Sequence, residues 1–302
     1  VSRPDSTVAM AEWDGGYSAF YDITRETVYE MLRRQLGVLH DSLRVDGFLF
    51  DCDGALPYAR FANAGAAEFL KKWSELGNDF HSSQYTISRG DGFAPYIHDL
   101  QTKRPLEWGL LQEMVSNILT ANLLGYPYST VSADPALTSD SVARDPKVLL
   151  RYVQLSSVLP VAALDIAPWR ITDPAVAAQC KAAFTARERI EYYRQLIQES
   201  ARTAEPIVRH MEYEFPRNGF TDCNDQFMIG SKYLVAPLLG ESDSRTVRFP
   251  RGVWISRKGE RFKGPLVTTV TVADGEIPII TTYLAARCAR QRMEPDDSHF
   301  IP

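Results

Sequence analysis

A short apolar stretch that ends in an acid, then a longer helical stretch, recurs along this chain and constrains its fold more than any other feature. VDGFLFDCDG (Val45–Gly54) reads as a buried strand closed by Asp51, Cys52, Asp53 and Gly54. TVAMAEW (Thr7–Trp13) leads to Asp14, SQYTIS leads to Arg89, YSTVSAD leads to Asp134, and VAALDI (Val161–Ile166) carries Asp165. Helical spacing fills the intervals. Ile23–Leu43 sets Val28, Met31, Leu32, Leu36 and Leu39 near one face, with a charged stripe of Arg25, Arg33 and Arg34 on the solvated side, and Asp22 or Thr24 as its cap. Ala66–Leu76 reads as a helix closed by Gly77. Pro105 opens a helix over Leu106–Leu124 that is apolar on most sides and therefore buried. Val148–Val158 and Arg187–Ala201 are further helices.

Strands that alternate with helices imply a parallel sheet. Acids at the carboxyl ends of successive strands, here Asp14, Asp51, Asp134 and Asp165, fit a (β/α)8 barrel, where that face carries the active site. An open doubly wound sheet gives the same alternation, but no GxGxxG or Walker loop supports a nucleotide-binding version. Near residue 205 the pattern changes to Gly, Pro and β-branched residues (YLVAPLL, RTVRFP, GVWIS, LVTTVTV, EIPIIT), as in a small antiparallel β domain. The expected organisation is an α/β chain with a partial barrel over residues 1–203 and a β-sandwich domain over residues 204–302.

A net charge of −5 with acids and bases mixed, and no basic stripe, argues against nucleic acid as a partner. Cys52, Cys180, Cys223 and Cys288 lie far apart, as free thiols or as one or two disulfides, and neither they nor the histidines show metal-ligand spacing, so no metal is expected. No apolar run has the length of a membrane span. VSRPDST is not a signal peptide, and the chain reads as starting inside a longer gene product.

Several segments, taken in order, resemble glycoside hydrolase family 31. EWDGGYSAFYDIT is similar to that family's Trp-Asn-Gly…Asp-Phe-Thr stretch, and VDGFLFDCDG to its Asp-Gly-Phe-Lys-Phe-Asp strand. GLLQEMVSNILTANLLGYPYSTVSAD resembles the helix and strand before its Asp-Ile-Gly-Gly loop, and RYVQLSSVLPVAALDIAPWR its Trp-Gln…Pro…Pro-Trp stretch. EPIVRHMEYEFP, DQFMIGSKYLVAPLL and RTVRFPRGVW resemble its C-terminal β domain. Leu124–Pro127 (LGYP) and Ala167–Arg170 (APWR) point within the family to the branch that contains myogenesis-regulating glycosidase, a retaining α-galactosidase.

The resemblance implies a retaining exo-α-glycosidase, with α-galactoside favoured over α-glucoside. It implies that Asp51 is the nucleophile and, counting back from Gly109, that Asp99 on the following loop is the acid/base. Arg89, Trp13, Asp14, Asp134 and Trp169 take the positions of sugar contacts. Such an enzyme needs two carboxyls roughly 5–5.5 Å apart, one ionised to attack and one protonated for the leaving oxygen. A cation such as Arg89 favours the ionised form, and desolvation of Asp99 favours the protonated one. No cofactor is implied. The partner is a carbohydrate substrate, the oligomeric state is left open, and the family's usual location is the secretory pathway (endoplasmic reticulum, Golgi, lysosome or extracellular space).

The departures are specific. Leu49 stands where the family has a sugar-holding lysine, Cys52–Gly54 replace Ala-Gly-Glu, and ADPALTSD has lost the glycines of the Asp-Ile-Gly-Gly loop. The family's N-terminal β domain and first barrel strands are not in this sequence, so Thr7–Trp13 corresponds to about the third strand. These changes support a second reading: a catalytically inactive, glycosidase-like protein that binds glycans or a protein partner.

Overall fold

The computed structural model of the chain describes residues 7–13, 16–45, 48–50, 66–78, 83–84, 98–102, 104–133, 145–162, 164, 167–171, 173–185, 190–272 and 279–282. They fall into two compact units, Val1–Asp99 with Leu124–Tyr128, and Leu100–Leu123 with Ser129–Pro302.

The first unit opens with a hairpin. β1 (Met10–Trp13) pairs antiparallel with β2 (Gly16–Ala19), from Met10↔Ala19 to Trp13↔Gly16. The strand expected over Thr7–Trp13 is present at Met10–Trp13, and it pairs with a second strand, Gly16–Ala19, that the sequence pattern did not indicate. The two residues between the paired ends are Asp14 and Gly15, a dipeptide strongly favoured in two-residue hairpin loops.

α1 (Glu26–Leu43) starts three residues later than expected, with Arg25 at its N-cap and no side-chain cap. Asp22 serves the preceding turn instead. It accepts from the Thr24 backbone N–H at 3.2 Å and from Thr24 Oγ1 at 2.5 Å, and pairs with Arg25 Nε at 3.3 Å. α1 packs through Tyr29, Leu32 and Leu36 against Ile23 and against Phe69, Trp73 and Leu76 of α2 (Ala66–Asn78). Those i, i+3, i+4 and i+7 spacings make one apolar stripe on each helix. α2 runs through Gly77 rather than stopping at it. β3 (Leu49–Phe50) pairs in parallel with β4 (Ser83–Gln84), Leu49↔Ser83 and Phe50↔Gln84, as the strand–helix alternation requires.

β5 (His98–Thr102), which runs from one unit into the other, borders β6 (Ser129–Ala133) in a two-stranded sheet. The loop expected around Asp99 is therefore a strand in the backbone. In the second unit, α3 (Trp108–Leu123) buries Leu110, Leu111, Met114, Val115, Ile118 and Leu119, which bears out the helix read as apolar on most sides. α4 (Pro146–Ser157) is buried from Val148 to Ser157, and Asp145 caps it by accepting from the Lys147 backbone N–H at 3.1 Å.

Val161, Ala162 and Leu164, the described residues of VAALDI, lie outside any strand; Ala163, Asp165 and Ile166 lie outside the described residues. A short apolar run does not by itself specify a strand. α5 (Pro168–Ile171), α6 (Pro174–Thr185) and α7 (Ile190–Thr203) follow. α6 begins at an Asp-Pro start signal. Asp173 Oδ1 accepts from the N–H groups of Ala175 at 2.8 Å and Val176 at 3.0 Å.

From Val208 the chain builds an antiparallel sheet in the order β11-β10-β12-β9-β8-β7 among the described residues. The strands are β7 (Val208–His210), β8 (Phe227–Ile229), β9 (Tyr233–Val235), β10 (Ser244–Ser256), β11 (Arg261–Thr271) and β12 (Ile279–Thr282), with α8 (Met211–Glu214) after β7. One face buries Met211, Met228, Leu234, Val247, Phe249 and Trp254. Phe249 and Phe262 stack at 4.6 Å, and Trp254 Nε1 donates to the Pro250 carbonyl at 2.9 Å.

β10 has a bulge between Phe249 and Gly252, and there the hairpin closes tightly on Gly264. A Cβ at Gly264 would meet the backbone oxygen of Pro250 and lie 2.9 Å from that of Phe249. Backbone cannot rotate away as a side chain can, so Gly264→Ala is expected to lower the stability of the sheet by about 2 kcal/mol. Urea unfolding followed by Trp fluorescence checks this, and an unchanged midpoint would sink it.

Candidate active site

Strand ends, rather than a completed pocket, are what the described residues contribute. In the first unit, β3 and β4 run in the same direction with Phe50 opposite Gln84, so the chain leaves both at the same edge. In the sequence Asp51 follows β3 directly and Arg89 comes five residues after β4; both lie outside the described residues, as does Asp14. Trp13 is the last residue of β1. Asp99 is the second residue of β5, in the strand that replaces the expected loop. A strand fixes the direction of successive side chains by the pleat, whereas a loop does not.

In the second unit, β6 ends at Ala133, one residue before Asp134, which is itself outside the described residues. Ser129, Thr130, Val131 and Ala133 are buried, so this strand end is held in the core rather than at a solvated edge. Trp169 sits on α5 with 73% of its surface exposed, beside buried Pro168. Asp165 lies outside the described residues.

A set of polar anchors within the second unit carries no sequence motif. Arg151 is 1% exposed, donates to Asp243 Oδ1 at 2.5 Å and to Gln154 Oε1 at 3.0 Å. Lys147 Nζ reaches the same Asp243 oxygen at 2.9 Å. Hydrogen bonds from Lys147 first, then Arg151, hold the Asp243 carboxyl below the usual carboxylate range. Trp108 Nε1 donates to Asp145 Oδ2 at 2.8 Å. Asn122 Nδ2 donates to the Ile118 carbonyl, and Asn122 Oδ1 accepts from the Val208 backbone N–H at 3.0 Å, which ties α3 to β7. Arg151 and Lys147 read in sequence as ordinary helix-surface residues. The structure buries Arg151 with the helix from Val148 onward and leaves the Lys147 side chain 34% exposed.

Cys180 and Cys223 are free and buried. Burial pushes the Cys180 thiol up to about 12 and, as the larger cause beside the Asp225 carboxylate, the Cys223 thiol up to about 11. Both are therefore protonated and unsuited to nucleophilic work. Among the described residues no group of His, Cys, Asp and Glu is arranged to hold a metal ion, and no helix is long and apolar enough to cross a membrane.

Comparison with known proteins supports the family-31 resemblance. Residues 204–282 match the family described as Glycosyl hydrolase family 31 C-terminal domain. The SITS-binding protein of Tetronarce californica is 21% identical over 294 residues, 91% of this chain and 41% of that protein. An alpha-glucosidase of Saccharolobus solfataricus is 32% identical over 92 residues, 30% of this chain and 13% of that enzyme.

Among solved structures, a Flavobacterium johnsoniae GH31 dextranase complexed with glucose superposes with a TM-score of 0.76 at 18% identity, over 92% of this chain and 39% of that one. A GH31 alpha-xylosidase from a soil metagenome, complexed with xylose, gives 0.74 at 19% identity, over 91% and 48%. The chain shares the fold of these enzymes, an α/β fold with sheets, and spans less than half the length of each of these four proteins.

Proposed function

We propose that the protein to which this chain belongs is a retaining exo-α-glycosidase of family-31 type that hydrolyses terminal α-linked sugars through a glycosyl-aspartate intermediate. The carrying observation is Asp51. It follows directly on β3, the strand of a parallel pair, in the segment that resembles the family's nucleophile strand, in a chain that shares the fold of family-31 enzymes. Asp51 attacks the anomeric carbon and Asp99 protonates the leaving oxygen. Arg89, Trp13, Asp14, Asp134 and Trp169 hold the sugar. The chain supplies the carboxyl-side part of a (β/α)8 barrel over residues 1–203 and a β-sandwich domain over residues 204–302; the family match beginning at residue 204 supports that boundary. The secretory pathway is the compartment this reading expects.

The LGYP and APWR segments favour an α-galactoside and the branch of myogenesis-regulating glycosidase. Relatives named alpha-glucosidase keep the α-glucoside as the second candidate. A non-catalytic sugar- or protein-binding protein is the alternative, favoured by Leu49 in place of a sugar-holding lysine and by a relative named for binding over 91% of this chain.

A panel of aryl α-glycosides given to the full-length gene product separates these readings. Turnover of α-galactoside alone supports the preferred one, and turnover of α-glucoside alone moves the substrate. Well-folded protein that cleaves none would transfer the case to the binding protein.

A further inference from the structure

Bonds from four other parts of the second unit converge on α4. Trp108 of α3 donates to its N-cap Asp145, and Tyr193 of α7 donates through its hydroxyl to the carbonyl of Val158, the C-cap, at 2.5 Å. Arg151 pairs with Asp243 just before β10. Tyr152, its neighbour on the helix, donates through its hydroxyl to the Val131 carbonyl at 3.1 Å, in the middle of β6. Tyr152 is 0% exposed and Val131 1%, so neither the hydroxyl nor the carbonyl can exchange this bond for water. A strand carbonyl ordinarily accepts from a neighbouring strand, and here a helix side chain reaches it. The point of attachment is two residues before the strand ends at Ala133.

We propose that Tyr152 is a positioning residue: its hydroxyl fixes the carboxyl-terminal half of β6 against α4, and so holds the strand end at Ala133, after which Asp134 follows in the sequence. The kinetic part of this rests on the reading of Asp134 as a sugar contact. The structural part does not, because it concerns β6 itself. Losing the hydroxyl leaves the ring in the core and a buried carbonyl without that donor, which loosens the strand locally rather than unfolding the unit.

The test is Tyr152→Phe in the full-length protein, beside Tyr193→Phe, which removes an equivalent buried hydroxyl at the C-terminal end of α4. Native-state hydrogen exchange is expected to rise about five-fold in the β6 segment of the first variant, and not in that of the second. For the glycoside that the wild type cleaves, KM is expected to rise about five-fold with kcat within about two-fold, since the lost interaction acts on sugar binding. Unchanged exchange in β6, or the same rise in both variants, overturns the positioning role. Raised exchange with unchanged KM also overturns it, since β6 would then be loosened without consequence for the sugar. If the wild type turns over no glycoside, the functional reading fails, and exchange in β6 still decides whether Tyr152 holds the strand.

Discussion

Asp51→Asn in the full-length gene product is expected to lower hydrolysis of every aryl α-glycoside the wild type cleaves by at least about a thousandfold, with the fold intact. The proposed reaction gives the reason. A carboxylate oxygen of Asp51 forms a bond to the anomeric carbon as the glycosidic bond breaks, and the leaving oxygen takes the proton of Asp99. Water then cleaves the ester while Asp99 takes back a proton. An amide at position 51 carries no negative charge to attack with, whatever the leaving group. Asp99→Asn separates the two roles. A nitrophenolate departs without protonation, so kcat/KM for its glycoside, which reports the first step, falls little although the unassisted second step lowers kcat, whereas kcat/KM for an alkyl glycoside needs the acid and is expected to lose about a hundredfold or more. Values of kcat/KM for a nitrophenyl and a methyl glycoside of the same sugar, in both variants, make the measurement. If the two variants lose equally on both substrates, the division of labour between the two carboxyls is wrong. If Asp51→Asn retains wild-type turnover, the nucleophile is elsewhere.

The elements that could be read from sequence are those whose pattern is set locally. α3 is apolar nearly all round, and it is buried. The change of composition near residue 205 marks where the antiparallel sheet is built. The parallel pairing of β3 with β4 follows from the helix between them. What escaped was set by partners distant in sequence. β5 (HDLQT) is polar and carries one β-branched residue, so its strand character comes from pairing beside β6 rather than from propensity. α6 (PAVAAQCKAAFT) is rich in Ala and lacks a strong apolar stripe, although Asp173 and Pro174 announce its start. The Asp14-Gly15 dipeptide between β1 and β2 is a local turn signal of the sequence. For the candidate site, acids at strand ends gave positions. The anchors on α4, Tyr152 and Arg151, carry no sequence mark that separates them from surface residues of an amphipathic helix.

Arg151 also makes the largest stability prediction. Asp243→Ala is expected to destabilise the second unit by about 3 kcal/mol, the low end of what breaking a buried ion pair costs. The low end applies because Asp243 is 43% exposed and water screens its side of the pair. The larger share of the cost is what remains behind: the Arg151 guanidinium, 1% exposed, would keep Gln154 and lose its counter-charge. Arg151→Met should cost less, although it removes the same pair. It buries an apolar chain of similar volume and leaves Asp243 at the surface with Lys147 at 2.9 Å.

The pH dependence has a definite sign. The folded-state value of the Asp243 carboxyl is depressed, so its contribution is present above the ordinary carboxylate range and is lost as pH falls through the lowered value. The stability gap between wild type and Asp243→Ala should therefore be full at neutral pH and close only in strong acid. Urea unfolding of wild type and both variants at neutral pH and at a series of acid values measures this. A gap that does not narrow in acid would mean that packing, not charge, holds Asp243 to α4. An Arg151→Met variant less stable than Asp243→Ala would mean that the guanidinium contributes through contacts other than this pair.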